Sequence, residues 1–319
     1  MKLRKKMFAY LLLVCLVFSL VGCGSQTAKT NSDSEKMKVV TTIYPVYEFV
    51  RQVGGDKVEV TMLLKPGVEP HDWEPTAKEL AEIKKAKVFF YHGAGLEPVD
   101  RLLTQEVLGT AQAVEVSKGI ERIIEQEDAD EHEHQAGHTE DKHHHDEIDV
   151  HTWLDPENVQ QEVQVIAEAL AAADSKNRDY YLKNAEKYNL ELAKLDQEYK
   201  SVLAKVTRRD IVTSHAAFGY LAKRYDLHQL AVMGLSPDSE PTPDKMAQIV
   251  DFCREHNVKY IFFETLVSPK LSQTIAKETG ADLLVLNPIE SLTEEEIKQG
   301  KNYLIIMREN LENLKKALN

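Results

Sequence analysis

A short acidic stretch of the chain, from Glu125 to Asp149, is dense in side chains that bind metal ions. It holds eleven Asp or Glu residues and six histidines, which are His132, His134, His138, His143, His144 and His145. Imidazoles and carboxylates without cysteine are the ligands that a borderline cation such as Zn²⁺ accepts. The stretch is also too polar to form a core, so residues 125–147 are predicted to be a disordered loop. We expect the loop to collect zinc weakly through its histidines.

Three other histidines and one carboxylate lie next to predicted regular structure. His71 lies in a proline-flanked loop, His151 follows the acidic stretch, and His215 comes just after an apolar run at residues 211–213. Glu264 ends a second apolar run. Three of these four residues follow the carboxyl end of a predicted strand, where open α/β sheets place their ligand sites. They are the candidate metal ligands of the ordered part of the chain.

The N-terminus carries the features of an export signal. Basic residues at positions 2–6 precede an apolar run of fourteen residues, 7–20, and then Leu20-Val21-Gly22-Cys23. Fourteen helical residues extend about 21 Å, short of the roughly 30 Å of a bilayer core, so residues 1–22 are predicted to be a signal peptide and not a membrane span. The segment ending at Cys23 resembles a bacterial lipobox, which implies acylation of Cys23 and anchoring to the outer face of the cell membrane. Residues 23–37 are predicted to be a flexible tether.

Charge and cysteine content narrow the functional classes. Loss of residues 1–22 removes four positive charges and no acids, so the formal net charge falls from −13 to −17. A chain this acidic is poorly suited to nucleic acid and well suited to cations. Because Cys15 leaves with the signal and Cys23 carries lipid, Cys253 has no intrachain disulfide partner and is predicted to pack in the core.

Apolar runs of strand length alternate with helical patterns along the mature chain. They cover residues 39–43, 58–64, 88–91, 211–213, 230–232, 260–263 and 283–286. Short apolar runs separated by helices indicate buried parallel sheets. We therefore predict an α/β protein with two lobes of parallel sheet flanked by helices, over residues 38–175 and 206–319.

One long helix is predicted between the two groups of strands. Apolar residues from Tyr181 to Val206 repeat at steps of four and three, which places them in a single stripe. Over residues 176–205 such a helix would be about 45 Å long. It could join the two lobes or belong to one larger domain, and chain length alone does not separate these arrangements.

Six motifs between residues 42 and 264 are similar to those of one family. They are Thr42-Ile43-Tyr44-Pro45, Pro70-His71-Asp72-Trp73-Glu74-Pro75, Gly93-Ala94-Gly95-Leu96-Glu97, His151-Thr152-Trp153-Leu154-Asp155-Pro156, Thr213-Ser214-His215-Ala216-Ala217-Phe218-Gly219-Tyr220 and Phe263-Glu264. In these motifs the chain resembles the metal-binding lipoproteins of bacterial ABC importers, the cluster 9 or zinc/manganese solute-binding family. The resemblance implies a metal in the cleft between two α/β lobes joined by a rigid helix. It assigns the four ligands to His71, His151, His215 and Glu264.

The resemblance also implies a cargo and a partner. Manganese-binding relatives typically have glutamate at the third ligand position, where this chain has His215; three nitrogens and one oxygen favour Zn²⁺ over Mn²⁺. The histidine-rich insertion resembles that of the zinc-binding branch. The implied function is capture of Zn²⁺ outside the cytoplasm by a monomer and its delivery to an ABC permease. Because imidazoles bind metal only when neutral, binding should weaken as the pH falls through about 6.5.

Three alternatives remain open at this point. The chain could be a manganese-binding relative, or an adhesin in which zinc holds the fold together. It could also be an exported zinc hydrolase with Glu69, Asp72 or Glu74 as general base, although no HExxH or GxSxG motif supports this. Four protein ligands close a tetrahedron and favour capture over hydrolysis. Of the remaining histidines, His92 ends a predicted strand and could approach the cleft or cap the strand, of which capping is favoured. His228 and His256 are predicted to lie on the surface.

Overall fold

Strands and helices alternate along the residues that the structure, a computed structural model, describes: 36–125, 147–237 and 241–319. In chain order the elements are β1 (Met37–Thr41), α1 (Tyr44–Gly54), β2 (Val58–Met62), α2 (Ala77–Ile83), β3 (Val88–Tyr91), α3 (Val99–Leu102), α4 (Gln105–Leu108), β4 (Gln112–Glu115), β5 (Ile124–Glu125), β6 (Glu147–Ile148), α5 (Pro156–Ala173), α6 (Arg178–Leu203), β7 (Asp210–Thr213), α7 (Gly219–Tyr225), β8 (His228–Ala231), α8 (Pro243–Glu255), β9 (Tyr260–Phe263), α9 (Lys270–Thr279), β10 (Asp282–Val285), α10 (Glu294–Lys298) and α11 (Tyr303–Leu318).

Two parallel sheets of four strands form the two lobes. Their strand orders are β2-β1-β3-β4 and β10-β9-β7-β8, and every neighbouring pair is parallel. The predicted fold class is therefore confirmed. Strand β4 was not predicted, because Gln112 and Glu115 bracket only two apolar residues and the strand lies at a sheet edge.

A short antiparallel pair, β5 and β6, brackets the histidine-rich stretch. Ile124 pairs with Ile148, so the chain leaves and re-enters the described structure at neighbouring points, three residues before His151. The stretch between them, residues 126–146, lies outside the described residues, as do residues 1–35. The expectations for the six loop histidines, for the signal peptide and for Cys23 fall on these segments. Within the described part, no helix is both long and apolar enough to cross a membrane.

The predicted long helix is α6, which has 26 residues and a length of about 39 Å. Its buried stripe includes Tyr181, Leu192 and Tyr199. Near one end, Asn184 Nδ2 donates a hydrogen bond to a carbonyl at the end of α1 (2.9 Å). Near the other end, the Tyr199 hydroxyl donates one to a carbonyl of α11 (2.6 Å). The helix therefore contacts elements of both lobes.

One apolar core continues through both lobes. It includes Phe49 of α1, Phe218 before α7 and Tyr303 of α11. The Tyr303 ring packs edge-on against Phe49 with centroids 5.2 Å apart, and its hydroxyl donates to the Trp153 carbonyl at 2.7 Å. A second, smaller core in the C-terminal lobe contains Cys253, as predicted. Because the shared core consists of apolar side chains, the lobes are joined without the help of a metal ion.

The stripe on α6 predicts a contrast between two leucines. Leu192 is fully buried, whereas Leu190 on the same helix is 67% exposed. Leu192→Ala should lower the free energy of unfolding by about 2–5 kcal/mol, because apolar contacts are lost and a cavity remains. Leu190→Ala should change it by less than about 0.5 kcal/mol. Urea unfolding followed by circular dichroism measures both, and similar losses in the two variants would contradict the position of the stripe.

Candidate metal centre

Three imidazoles and one carboxylate converge between the two lobes. His71 lies in the loop after β2, His151 precedes α5, His215 follows β7 and Glu290 follows β10. One ligand atom of each lies within 4.8 Å of the other three. The side chains of His151, His215 and Glu290 are fully buried, while that of His71 is 11% exposed. His71 is therefore the solvent-facing edge of the cluster.

The ligand atoms of the cluster lie close to the spacing of a zinc coordination shell. Glu290 Oε1 lies 3.2, 3.0 and 3.4 Å from Nε2 of His71, His151 and His215. His151 Nε2 lies 3.3 Å from the same atom of His71 and 3.4 Å from that of His215. Ligands at 2.0–2.1 Å from a tetrahedral zinc are about 3.3 Å from one another. Five of the six pairs therefore have the separation that tetrahedral zinc requires, and the sixth, His71 with His215, lies within 4.8 Å.

Two further carboxylates orient the buried imidazoles. His151 Nδ1 donates a hydrogen bond to Asp149 Oδ1 at 2.8 Å, and His215 Nδ1 donates one to Glu264 Oε1 at 2.7 Å. This tautomer is assigned from the hydrogen-bond partners. When the ring is neutral, as metal binding requires, this tautomer leaves the lone pair on Nε2, the nitrogen that faces the other ligands. Carboxylates in this position fix the ring and increase its basicity toward a metal.

The structure places Glu264 behind His215 and outside the ligand cluster. Besides His215 Nδ1, the Glu264 carboxylate accepts hydrogen bonds from the hydroxyl of Ser214 and from the backbone N–H of His215 (3.2 Å). The position expected for Glu264 is occupied by Glu290. Strands β9 and β10 are neighbours in the sheet, so a carboxylate after either strand approaches the same site. The geometry therefore does not agree with the prediction that Glu264 supplies the fourth ligand atom.

A signal for Glu290 is present in the sequence. Asn287-Pro288-Ile289-Glu290 directly follows the predicted strand at residues 283–286. The rule that ligands follow the carboxyl ends of strands applies to this segment as it does to His215. Glu290 lies four residues beyond the end of this strand, whereas Glu264 directly follows its own, so the sequence favoured Glu264.

The loop that carries Glu290 is held from two sides. Asn287 exchanges hydrogen bonds with Asn310 of α11, at 2.9 and 2.7 Å, and Trp153 Nε1 donates to the Pro288 carbonyl at 2.7 Å. Ile289 has a φ of 61°, a left-handed conformation that β-branched residues rarely adopt. These contacts keep a strained backbone in place, and the Glu290 carboxylate points into the cleft as a result.

The electrostatics of the cluster favour a cation. Burial disfavours the charged form of His151, but hydrogen bonds to Asp149 and Glu290 outweigh it and raise the pKa to about 9. Burial also disfavours the charged form of His215. The negative charge of Glu264 outweighs this effect, so the pKa of His215 is raised well above its usual value. Burial of Glu290 is outweighed by hydrogen bonds from the imidazoles, which hold its pKa well below the usual value. Without a metal, the cluster holds protons around a buried carboxylate.

Glu69 is a further carboxylate next to the cluster. Its Oε1 accepts a hydrogen bond from the His71 backbone N–H at 2.8 Å, and its buried Oε2 has no hydrogen-bond partner among the described residues. Burial and the charge of Glu290 raise the pKa of Glu69 to about 8. Asp72 and Glu74 are exposed. Of the three candidate general bases, only Glu69 is partly buried beside the cluster, where burial and the charge of Glu290 favour its protonated form.

His92 supports the ligand loop from behind, at the end of β3. It is fully buried, its Nε2 lies 2.7 Å from the Val150 carbonyl, and its ring packs edge-on against Trp153 at 4.8 Å. Burial lowers the pKa of His92 to about 3, so the ring is neutral. His92 thus ends a strand, as predicted. His228 and His256 are exposed, also as predicted.

The Asp149 contact predicts an effect on metal affinity. Asp149→Asn keeps an oxygen that can accept from His151 Nδ1 but removes the negative charge. Zinc affinity should fall about 10- to 100-fold, the usual cost of losing a group that orients a metal ligand. Asp179→Asn, an exposed position on α6, is the matched control and should leave affinity unchanged. Competition with a chromogenic chelator measures both; unaltered affinity in Asp149→Asn would contradict the orienting role.

Two parallel α/β lobes joined by a long helix, with a four-ligand cation site between them, define a metal-binding solute-binding protein of the ABC importer class. The family model described as "Zinc-uptake complex component A periplasmic" matches residues 39–317. The chain belongs to this ZnuA family. The family is one of transport components and not of enzymes, so the hydrolase alternative is set aside.

Individual relatives support the assignment. The chain is 40% identical over 320 residues to the high-affinity zinc uptake system protein ZnuA of Bacillus subtilis, and the match covers 98% of each chain. The Zn(II)-bound ZnuA-like domain of Streptococcus pneumoniae AdcA is 36% identical, with a TM-score of 0.74 and coverage of 89% and 99%. The chain spans 61% of the length of whole AdcA. The laminin-binding protein Lmb of Streptococcus agalactiae, described as having adhesin and metal-transporting activity, is 34% identical, with a TM-score of 0.77 and coverage of 89% and 100%.

Proposed function

We propose that this protein captures Zn²⁺ outside the cytoplasm and delivers it to the permease of an ABC importer. The observation that carries the proposal is the cluster of His71, His151, His215 and Glu290, whose ligand atoms all lie within 4.8 Å of one another. The names of the Bacillus and Streptococcus relatives refer to zinc uptake and zinc binding. Four protein ligands leave no coordination position for a reactive water, which suits a carrier.

The ligand set supports zinc as the cargo over manganese. Three of the four ligand atoms are imidazole nitrogens, and two of these imidazoles, His151 and His215, are held by carboxylates at Nδ1. Mn²⁺ prefers oxygen ligands in octahedral geometry, whereas zinc accepts nitrogen in a tetrahedron. A manganese carrier is therefore the weaker alternative.

Loading and release are proposed to occur at the His71 edge. His71 is the least buried ligand, and its loop is tied to the Glu290 loop by a hydrogen bond from the Gly67 N–H to Ser291 Oγ (3.1 Å). Separating the lobes would expose the apolar core that they share, which costs far more than moving one loop. Movement of the His71 loop then opens the site while the other three ligands stay in place.

The proposal also gives roles to Cys23 and to the histidine-rich loop, which lie outside the described residues. Cys23 would carry the lipid anchor at the outer face of the membrane, and the six histidines of the loop would raise the local zinc concentration beside the cleft. Deletion of residues 126–146 keeps the β5–β6 pair as a closing point. We expect the deletion to leave cleft affinity unchanged and to reduce uptake at low zinc; full uptake at low zinc would refute the collecting role.

Zinc uptake in living cells tests the proposed function. In a strain lacking its own zinc-binding lipoprotein, the wild-type chain should restore radioactive zinc uptake, and His151→Ala should not. Thermal melting with and without chelator accompanies the assay. A carrier stays folded when empty, whereas an adhesin that uses zinc structurally unfolds when the metal is removed. Restored uptake with His151→Ala, or unfolding in chelator, would overturn the proposal.

A further inference from the structure

One buried side chain, Trp153, contacts the metal-centre loops of both lobes. Trp153 is fully buried in the turn that follows His151. Its ring packs edge-on against the His151 imidazole, with centroids 5.3 Å apart. Its Nε1 donates a hydrogen bond to the Pro288 carbonyl at 2.7 Å, in the loop that carries Glu290. A ligand of one lobe and the ligand loop of the other therefore meet at this indole.

The peptide between Pro288 and Ile289 is held at both of its polar groups. Its carbonyl accepts from Trp153, and its N–H, which belongs to Ile289, donates to Asn287 Oδ1 at 2.8 Å. Rotation about the φ bond of Ile289 turns this peptide plane relative to Glu290. The two hydrogen bonds therefore resist relaxation of Ile289 from its left-handed φ of 61°. The direction of the Glu290 carboxylate thus depends on a donor from the other lobe.

Trp153 is itself fixed on several sides. Its carbonyl accepts a hydrogen bond from the Tyr303 hydroxyl at 2.7 Å, and its ring packs edge-on against the buried His92 with centroids 4.8 Å apart. The neighbouring Thr152 hydroxyl donates to the buried Glu162 carboxylate at 2.6 Å. A side chain locked by packing and hydrogen bonds holds the group that it contacts in one orientation. The indole N–H is therefore in place before a metal ion arrives.

We propose that Trp153 is a positioning residue of the metal centre, and that its N–H aims the Glu290 carboxylate at the three imidazoles. This inference rests on the proposed zinc function. Loss of the donor lets Ile289 relax, so the Glu290 carboxylate withdraws while the imidazoles of His71, His151 and His215 stay in place. Zinc then keeps three protein ligands and has one position open to water or a small anion, as catalytic zinc sites do.

Removal of the indole N–H tests the proposal. Benzothienylalanine at position 153 keeps the outline of tryptophan but has sulfur in place of the N–H, and Trp153→Phe is a second variant. Each should weaken zinc binding about tenfold, as for loss of a group that orients a ligand. Tyr199→Phe is the matched control, because it also removes a buried hydrogen bond to a backbone carbonyl (2.6 Å). It should lower the melting temperature and leave zinc affinity unchanged.

A double-mutant cycle shows whether Trp153 acts through Glu290. In the Glu290→Gln background, Trp153→Phe should weaken zinc binding by less than about threefold, because the carboxylate that it aims is already lost; independent effects would multiply.

Azide added to the cobalt-substituted protein detects an open coordination position. It should change the visible spectrum of Trp153→Phe and leave that of the wild type unchanged. An equal response in the two proteins would contradict the proposal.

The titrations separate the positioning role from the ligand assignment. If Glu290→Gln alone leaves zinc affinity unchanged, the assignment of the fourth ligand fails, and the role of Trp153 fails with it. If Glu290→Gln weakens binding while both position-153 variants bind zinc as the wild type does, only the positioning role is overturned. It is also overturned if the effects of Trp153→Phe and Glu290→Gln multiply, or if Tyr199→Phe weakens binding as much as Trp153→Phe.

Discussion

Lowering the pH from 8 to 6 is expected to weaken zinc binding in the cleft by at least about 100-fold, the cost of displacing one proton from His151 over two pH units. The pKa of His151 is raised to about 9 and that of His215 well above its usual value, because each faces Asp149 or Glu264 on one side and Glu290 on the other. Zinc must therefore displace protons from the imidazoles that bind it. Each displaced proton costs about tenfold per pH unit below its pKa.

The pH range over which zinc binding weakens is therefore higher than the range expected for histidines with ordinary pKa values. Ordinary histidines would release zinc only below about 6.5, which was the expectation from sequence. Competition titrations at pH 6, 7 and 8, together with proton release measured in weakly buffered solution, test the difference. A change of less than tenfold between pH 8 and 6 would show that the imidazoles are neutral in the empty protein.

The raised pKa values of His151 and His215 make the metal-free protein more stable at low pH, where zinc binding is weakest. A histidine whose pKa is raised by folding stabilises the folded state below the pKa of the unfolded chain, and this contribution is lost as the pH rises through the folded pKa. For His151 the contribution is complete below about 6.5 and lost toward about 9. The melting temperature of the empty protein should fall over this range while zinc affinity rises.

Replacing Glu290 with glutamine is expected to weaken zinc binding more than 100-fold, and Glu264→Gln only about 10-fold. Glu290 Oε1 faces all three imidazoles, so its replacement removes the only anionic atom of the ligand cluster. Glu264 contacts His215 from behind, and losing such a group costs about 10- to 100-fold. Both substitutions replace glutamate with glutamine, which keeps the shape of the side chain and removes one negative charge, so each is a control for the other.

Chelator competition at fixed pH compares the two variants. The Glu290 variant should also release fewer protons on binding zinc, since the carboxylate that holds the imidazoles protonated is gone. If Glu264→Gln has the larger effect, the fourth ligand is Glu264, as the sequence suggested, and Glu290 does not bind the ion.

Much of the fold follows from local patterns. Buried parallel strands are nearly continuous apolar runs, so β1, β3 and β9 were visible in the sequence. The α6 stripe was visible because one face of the helix packs against both lobes. The bounds of the lobes and of the tether stay predictions; β1 begins at Met37, the last residue assigned to the tether. Edge strand β4 has too few apolar residues to be recognised.

The site was less predictable than the fold. His71, His151 and His215 each stand in a distinctive motif, and the structure brings all three together. Glu264 and Glu290 both follow strands that end at the cleft. Sequence periodicity does not say which carboxylate faces Nε2 of His215 and which contacts its Nδ1. That choice depends on the left-handed Ile289 and on the contacts of Asn287, which are properties of the folded chain.

The shared core has a consequence for how the carrier works. Phe49, Phe218 and Tyr303 belong to one apolar cluster that crosses from lobe to lobe, and opening the lobes would expose it to water. Because hydrophobic contacts of this kind are non-directional but large in sum, they favour a rigid body with a movable His71 loop. The metal-free and zinc-bound proteins should therefore differ at this loop and not in lobe orientation.

A crystal structure of the zinc-loaded protein with an anomalous difference map at the zinc edge tests the central claim most directly. We expect one fully occupied peak in the cleft, about 2.0–2.2 Å from Nε2 of His71, His151 and His215 and from Glu290 Oε1. Glu264 should remain on His215 Nδ1. A cleft peak bound by Glu264, or a cleft without a peak while zinc is bound elsewhere, would contradict the account.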